Sequence, residues 1–263
     1  MKLAKANEVE GHWMYVNMKL KDLLDLNKGS IISIVGAGGK SSLMYYLGEE
    51  LRGQNKVLIT TTTKIYLPKK EKYDYIAIGQ KSLSSLKHNK NKGIYVYGSS
   101  INKENKIIGP TVLELDNECP YFDYILAESD GAKGKAIKGW NDTEPVISFK
   151  TDKTIGVLSL EVIGKNIEDD TVHRVEEFVN ITNSKKNEKI TLEKISSLVF
   201  HPRGLFKDSR GEKILFINKI ESFHQNVLAR KFLVLILEEN HGYIDKIIIG
   251  SIKHKSFNLI FKL

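Results

Sequence analysis

The sequence predicts an α/β protein with a P-loop-like, mostly parallel sheet and helices on both faces. Three observations carry that prediction. Short β-rich apolar runs alternate along the chain with segments whose apolar residues recur at helical spacing. Several runs are almost continuously apolar, as strands covered on both faces must be. One of them, IISIV, leads through GAGGKSS into a segment with Leu43, Leu47 and Leu51 four residues apart.

In chain order, the segment MKLAKANEVEGHWMYVN is polar and mixed in charge and lacks the apolar stretch of a secretory signal. Residues 1–17 are therefore expected to be an extended start or a disordered leader. Met18 begins a more helical run, with a helix over 20–26. A strand at 31–35 precedes the glycine-rich turn and a helix at 41–52. Further strands are expected at 56–61, 75–78, 94–97, 124–127 and 154–160, then at 214–217 and 244–248. Helices are expected at 172–179 and 192–199, and at 223–239, which is apolar on most sides and reads as a buried core helix. Strands continue on both sides of Glu144 and Pro145 with no linker composition. The expectation is one domain over 18–263, with a helical insertion between 166 and 211. No period of 20 to 50 residues repeats, which argues against a solenoid.

Composition narrows the function classes. At 263 residues the chain can bury roughly three quarters of its unfolded surface, so it needs neither disulfides nor a structural metal. A single cysteine, Cys119, excludes an internal disulfide and a Cys-based zinc site and suits a cytoplasmic protein. The longest apolar run, 232–237, falls far short of the roughly 20 residues that cross a bilayer. Forty Lys and Arg against 32 Asp and Glu give a net charge of +8. Only Arg52, Arg174, Arg203, Arg210 and Arg230 are arginines, whereas bidentate readout of bases and phosphates favours arginine. The lysines between 81 and 106 are interleaved with Ser, Asn and Gly and read as a solvated face. Neither a membrane nor a nucleic acid is an expected partner.

The segment around Gly36, Ala37, Gly38, Gly39, Lys40, Ser41 and Ser42 carries the chemistry. Glycines admit positive φ and let backbone N–H groups converge on a phosphate; the following helix start adds the positive end of its dipole. Lys40 supplies a point charge, and the Ser41 hydroxyl can ligate Mg²⁺. The loop is a shortened G-x-x-G-K-S-S form, because the full G-x-x-x-x-G-K-[ST] pattern would need glycine at Ile34. Mur-type peptide ligases carry a comparable short loop. A dinucleotide fingerprint fails, since Ser41 stands where its third glycine belongs and Thr60 to Thr63 where an acid is needed. An incidental lysine in an ordinary strand-turn-helix is the remaining alternative.

Glu128 and Asp130 end the strand of YFDYILAESDG, where a Walker B acid would sit, and are candidates for holding Mg²⁺ and for orienting or deprotonating a nucleophile. Lys40, Glu128 and Asp130 form the candidate catalytic set, with Mg²⁺ on Ser41, Glu128 and Asp130. Thr61, Thr62 and Lys64 offer hydroxyls and a charge at the same sheet edge. FINKIE places Asn218, Lys219 and Glu221 after a strand, like the N-K-x-D guanine-reading motif. Glutamate lengthens that carboxylate by one methylene and leaves ATP and GTP both open. Asp170, His173 and Arg174, and the turn-prone stretch of His201, Pro202, Arg203, Gly204 and Lys207, are candidates for a second substrate or partner. His173 and His201 lack metal-ligand spacing to another His or Cys.

Together VGAGGKSSL, VLITTTTKIYLP, ILAESDGAKGKAIKGW, IGVLSLEVIGK, VHRVE, FHPRGLFK and FINKIE resemble the selenium-dependent molybdenum hydroxylase accessory family, YqeC, over about residues 20–251. The resemblance implies a P-loop protein that helps mature a molybdenum hydroxylase, with that enzyme or its molybdopterin cofactor as partner. It implies phosphate contacts from Gly36, Gly38, Gly39, Lys40 and Ser41, an acidic turn at Glu128, Asp130 and Gly131, and roles for His173 and Arg174. Departures are Ser41 and Ser42 where threonine is common, Ser129 where alanine is frequent, and Glu221 where aspartate is usual. The expected function is a Mg²⁺-dependent ATP- or GTP-binding accessory protein, a slow NTPase. An ATP-dependent transferase or ligase, and a non-enzymatic cofactor-binding scaffold, are the alternatives; oligomeric state is left open.

Overall fold

Alternation along each strand, with apolar residues on both faces, builds one large sheet between two layers. The computed structural model describes residues 18–79, 86 and 88–263. The expected leader at 1–17, with Lys81 and Lys87 of the lysine-rich stretch, lies outside the described residues. The strands are β1 (Ser30–Gly36), β2 (Lys56–Thr61), β3 (Lys64–Tyr66), β4 (Tyr75–Ile78), β5 (Gly93–Gly98), β6 (Ser100–Ile101) and β7 (Lys106–Ile108). They continue as β8 (Tyr124–Glu128), β9 (Ile137–Lys138), β10 (Lys153–Ser159), β11 (Val172–His173), β12 (Glu212–Asn218), β13 (Lys246–Ser251) and β14 (Ser256–Lys262). The α-helices are α1 (Leu20–Leu23), α2 (Lys40–Arg52), α3 (Val112–Glu118), α4 (Val175–Thr182), α5 (Leu192–Phe200) and α6 (Phe223–Glu239).

The main sheet has nine strands in the order β14-β13-β12-β10-β1-β8-β2-β5-β4. Every neighbouring pair is parallel except β13 with β14. Ile32 and Ile34 of β1, Val57 and Ile59 of β2 and Leu126 of β8 share one core with α1 and with Leu43, Leu47 and Leu51 of α2. On the opposite face, Leu158, Leu215 and Ile247 share a core with Phe178 of α4, Ile195 of α5 and Phe232 of α6. Beyond them, Leu58, Tyr95 and Ile125 pack with Leu115 of α3. The expected α/β architecture is thus present. Helices α4 and α5, within the stretch expected as an insertion, contribute to the same core as the sheet.

The main strands and α6 lie where the apolar runs place them, and the differences have local causes. The first helix stops at Leu23 because Asp25 adopts a left-handed φ of 47°. The expected helix at 172–179 starts only at Val175: Val172 and His173 pair with Ile137 and Lys138 as β11, and Arg174 turns the chain with φ 59°. Strand β13 runs from Lys246 to Ser251, later than 244–248. The edge strand β14, the helix α3 and the small sheet β3-β7-β6 were not expected; β3, β6, β7 and α3 are short, and β14 carries half-exposed residues with a weak apolar signal.

The topology gathers the strand ends that carry the glycine loop and the acidic turn. The chain starts at β1, builds outward to β2, β5 and β4, returns to insert β8 beside β1, then crosses to β10, β12 and β13 on the other side. The carboxyl ends of these parallel strands meet at one edge, and the reversal at β1 opens the crevice in which open α/β sheets bind ligands.

Phe232 is fully buried among the β12, β13, α4 and α5 side chains. Phe232→Ala is expected to lower stability by about 3–5 kcal/mol through lost burial and a residual cavity, read as a lower urea midpoint with an unchanged slope.

Candidate functional site

The glycine loop at the end of β1 is held open by its backbone. Gly36, Gly38 and Gly39 adopt φ of 99°, 86° and 133°, a region that side chains oppose. A Cβ at Gly36 would overlap the Val157 carbonyl, and one at Gly39 the Asn218 side-chain amide. The loop is braced from both sides: Ala37 N–H donates to Val157 O at 3.0 Å, and Asn218 Nδ2 donates to Gly38 O at 3.0 Å. Helix α2 begins at Lys40 with no side-chain cap, so its first N–H groups, which have no intrahelical acceptor, point toward the crevice edge. Ser41 and Ser42 stand exposed at that turn.

Lys40 folds back instead of reaching outward. Its Nζ donates to Gly36 O at 2.7 Å and lies 3.1 Å from Asp130 Oδ1 and 3.6 Å from Glu128 Oε1. Glu128 Oε2 accepts the Ser41 hydroxyl at 2.6 Å. All three charged residues are buried. Burial opposes charge on Lys40, but the facing Asp130 and Glu128 carboxylates outweigh it and raise its pKa. Burial dominates at Glu128, whose pKa is pushed up despite Lys40 and Ser41. At Asp130 burial is overcome by Lys40 and Lys138, with hydrogen bonds from Gly36 N–H and Trp140, and the carboxyl is held below its ordinary range.

Asp130 also anchors a second group of side chains. Its Oδ2 accepts from Gly36 N–H at 3.0 Å, Lys138 Nζ at 3.1 Å and Trp140 Nε1 at 2.7 Å. Lys138 donates further to Gly131 O and Glu144 Oε2, and Arg174 Nη1 donates to Glu144 Oε2 at 2.7 Å. Three cations and three carboxylates therefore balance in one network. Asp130 Oδ1 faces Lys40 without making a hydrogen bond.

Other expected site residues are used differently. The Thr61 hydroxyl donates to Glu128 O and the Thr62 hydroxyl to Val146 O, so both fix backbone beside the acidic turn. Lys64 is exposed on β3. Asn218 braces the glycine loop, Lys219 pairs with Glu161 at 2.7 Å, and Glu221 accepts the Ser251 hydroxyl. His201 Nδ1 accepts the Arg203 N–H, Arg203 pairs with Asp142, and Lys207 donates to the carbonyls of Asn141, Asp142 and Glu144. That stretch props up the 141–144 turn. Lys138, Trp140, Glu144 and Ser251 were not singled out from the sequence; a lysine beside Ile137 in the stretch AIKGW was the available signal for a buried, partnered cation. Among the described residues no group of three or more His, Cys, Asp or Glu is arranged to hold a metal.

A profile of the YqeC protein family matches residues 32–176, just over half of the chain and the part that contains the glycine loop, the acidic turn and Arg174. The chain belongs to the YqeC family. It is also similar to "Uncharacterized protein YqeC" of Escherichia coli (strain K12), at 29% identity over 239 residues, covering 88% of this chain and 91% of the relative. No solved structure matches it. No described helix is long and apolar enough to cross a membrane.

Two predictions test the site's electrostatics. Asp130→Asn deprives buried Lys40 and Lys138 of their shared carboxylate and is expected to cost about 3–5 kcal/mol in urea denaturation. His173 has its pKa lowered from 6.5 to about 4 by burial and by Arg174, Lys138 and Lys133, against Glu144. The unfolded chain therefore takes up this proton first as pH falls, and stability is lost from about 6.5 down to about 4. His173→Gln is expected to flatten the decline of the urea midpoint across that window.

Proposed function

We propose that this YqeC-family protein binds a nucleoside triphosphate with Mg²⁺ at the glycine loop and hydrolyses it slowly, as an accessory factor in maturing selenium-dependent molybdenum hydroxylases. The accessory role rests on the resemblance of its motifs. The nucleotide reading rests on one observation: Lys40, Ser41, Glu128 and Asp130 converge beside a positive-φ glycine loop at the carboxyl edge of a parallel sheet, where its strand order reverses.

The donor set fits Mg²⁺. The Ser41 hydroxyl on Glu128, and the buried Asp130 Oδ1, which in this structure faces the Lys40 ammonium at 3.1 Å, are hard oxygen donors. Mg²⁺ commonly takes only one or two protein carboxylates and fills its shell with water and phosphate oxygens, which suits a site without a three-residue metal cluster. Ser41 and Asp130 would hold it directly, and Glu128 through a water. Bound there, the ion would neutralise charge on the phosphates and polarise them.

The chain's own groups then have distinct tasks. The α2 N-terminus and the glycine loop N–H groups receive phosphate oxygens, and Lys40 exchanges its carboxylate partners for the outer phosphates. Glu128, whose pKa burial pushes up, is the carboxylate suited to accept a proton from an attacking water. Asp130 stays ionised and holds the loop through Gly36 N–H.

Lys40→Ala is expected to abolish Mg²⁺-nucleotide binding in calorimetry. Because it strips Asp130 and Glu128 of a buried cation, it is also expected to lower the melting temperature, with far-UV circular dichroism still showing a folded chain at the temperature of the binding measurement. Unchanged affinity in that variant would remove Lys40 from the site.

A further inference from the structure

Resting on that nucleotide reading, we infer that the loops after β12 and β13 read a guanine base, with the Glu221 carboxylate accepting the donors on its edge.

Three observations join those loops to the phosphate loop. Asn218, the last residue of β12, donates its amide to Gly38 O, and its side chain occupies the space that a Cβ at Gly39 would fill. The end of β12 is therefore locked against the loop that receives the phosphates. Glu221 follows three residues later, within a reach of roughly 10 Å of chain, which matches the length of a nucleoside.

The Glu221 carboxylate is also set in place. Its Oε1 accepts the buried Ser251 hydroxyl at 2.9 Å, and Ser251 Oγ in turn accepts the His254 N–H at 3.1 Å. Its Oε2 faces exposed Lys253 at 3.6 Å, too long for a hydrogen bond, and so keeps lone pairs available. Ser251 is a positioning residue here: it fixes the longer glutamate side chain that stands where an aspartate would be shorter.

There is room for the ligand nearby. A cavity of about 910 Å³ opens against Ser41, Ser42, Tyr45 and Tyr46 of α2 and against Ile252 and Lys255 of the loop after Ser251. Its size lies in the roughly 300–1,000 Å³ range of small-molecule sites. It touches the helix start at Ser41 and Ser42 and the loop after β13 at Ile252 and Lys255, while Glu221, Asn218 and the loop glycines lie outside its lining.

The chemistry selects the base. Guanine presents a ring N–H and an exocyclic amine side by side, two donors for the two oxygens of a carboxylate. Adenine presents a bare ring nitrogen and a C–H at those positions, so its lone pair faces the Glu221 charge. A site built to hydrogen-bond one edge rejects the analogue lacking it by large factors. Glu221→Gln keeps the length of the side chain but offers an amide, one acceptor and one donor, which pairs with the N–H and carbonyl of xanthine.

The test is calorimetry of GDP, ADP and xanthosine diphosphate with Mg²⁺ on the full chain, for the native protein, Glu221→Gln and Lys40→Ala. The native protein is expected to prefer GDP over ADP by at least about 100-fold. Glu221→Gln is expected to weaken GDP about 100-fold or more, to strengthen xanthosine diphosphate, and to leave ADP unchanged. Equal native affinities for GDP and ADP, or an unchanged preference in Glu221→Gln, overturns the guanine assignment and leaves the nucleotide reading standing. Absence of binding by all three diphosphates, and by GTP and ATP with Mg²⁺, to the native protein overturns both. Should Glu221→Gln fail to fold, the native GDP-to-ADP ratio decides alone.

Discussion

The buried pair of Lys40 and Asp130 is the constraint on which the rest of the site depends. Both side chains are removed from water, and the desolvation of two ions at the end of β1 costs several kcal/mol each unless each ion is fully partnered. The surrounding structure meets that requirement group by group. Asp130 takes a backbone N–H from Gly36, an ammonium from Lys138 and an indole N–H from Trp140, while Lys40 takes Gly36 O and shares Glu128. Lys138, itself fully buried, then needs Glu144, and Glu144 brings in Arg174. Charge balance thus propagates outward from one pair until it reaches solvent-accessible guanidinium.

Which parts of this were legible in the sequence follows from the range of the forces involved. Strands β1, β2, β8 and β12 are buried on both faces, so they must be apolar nearly throughout, and that signal is local. The glycine loop is equally local, because positive φ at Gly36, Gly38 and Gly39 selects glycine residue by residue. Lys138, Trp140 and Glu144 join through contacts between one loop and another, and no spacing in the chain announces which lysine is buried. Val172 and His173 fit a helical period, yet they pair with β9 because the neighbouring strand residues supply partners that a helix would not. Asn218 was legible as a motif, but its bond to Gly38 depends on β12 and β1 being separated only by β10.

The surplus of positive charge takes on a different meaning beside this network. The chain carries +8 overall, while the six charged side chains around Asp130 cancel. The cations at the site are therefore already paired and exert little long-range pull. Attraction of a polyanion from a distance belongs to the dispersed surface lysines and is screened within about 10 Å at ordinary salt. In the proposed reading, short-range recognition would fall to the loop N–H groups, and to Lys40 only once its carboxylates are taken by something else.

That last condition turns the ion pair into a sensor in the proposed reading. At rest, Lys40 stabilises the folded loop through Gly36 O and neutralises Asp130 and Glu128. A phosphate alone would add negative charge to a balanced site, and a divalent cation alone would add positive charge beside Lys40; each faces an opposing field. Arriving together, they offset much of each other's charge, one taking over the carboxylates as the other takes over the lysine. Loop geometry need not change for this exchange: the Gly36 N–H, the Ala37 N–H and the Gly38 carbonyl are held by Asp130, Val157 and Asn218 respectively. The rigid part of the site is its backbone, and the movable part is one lysine side chain.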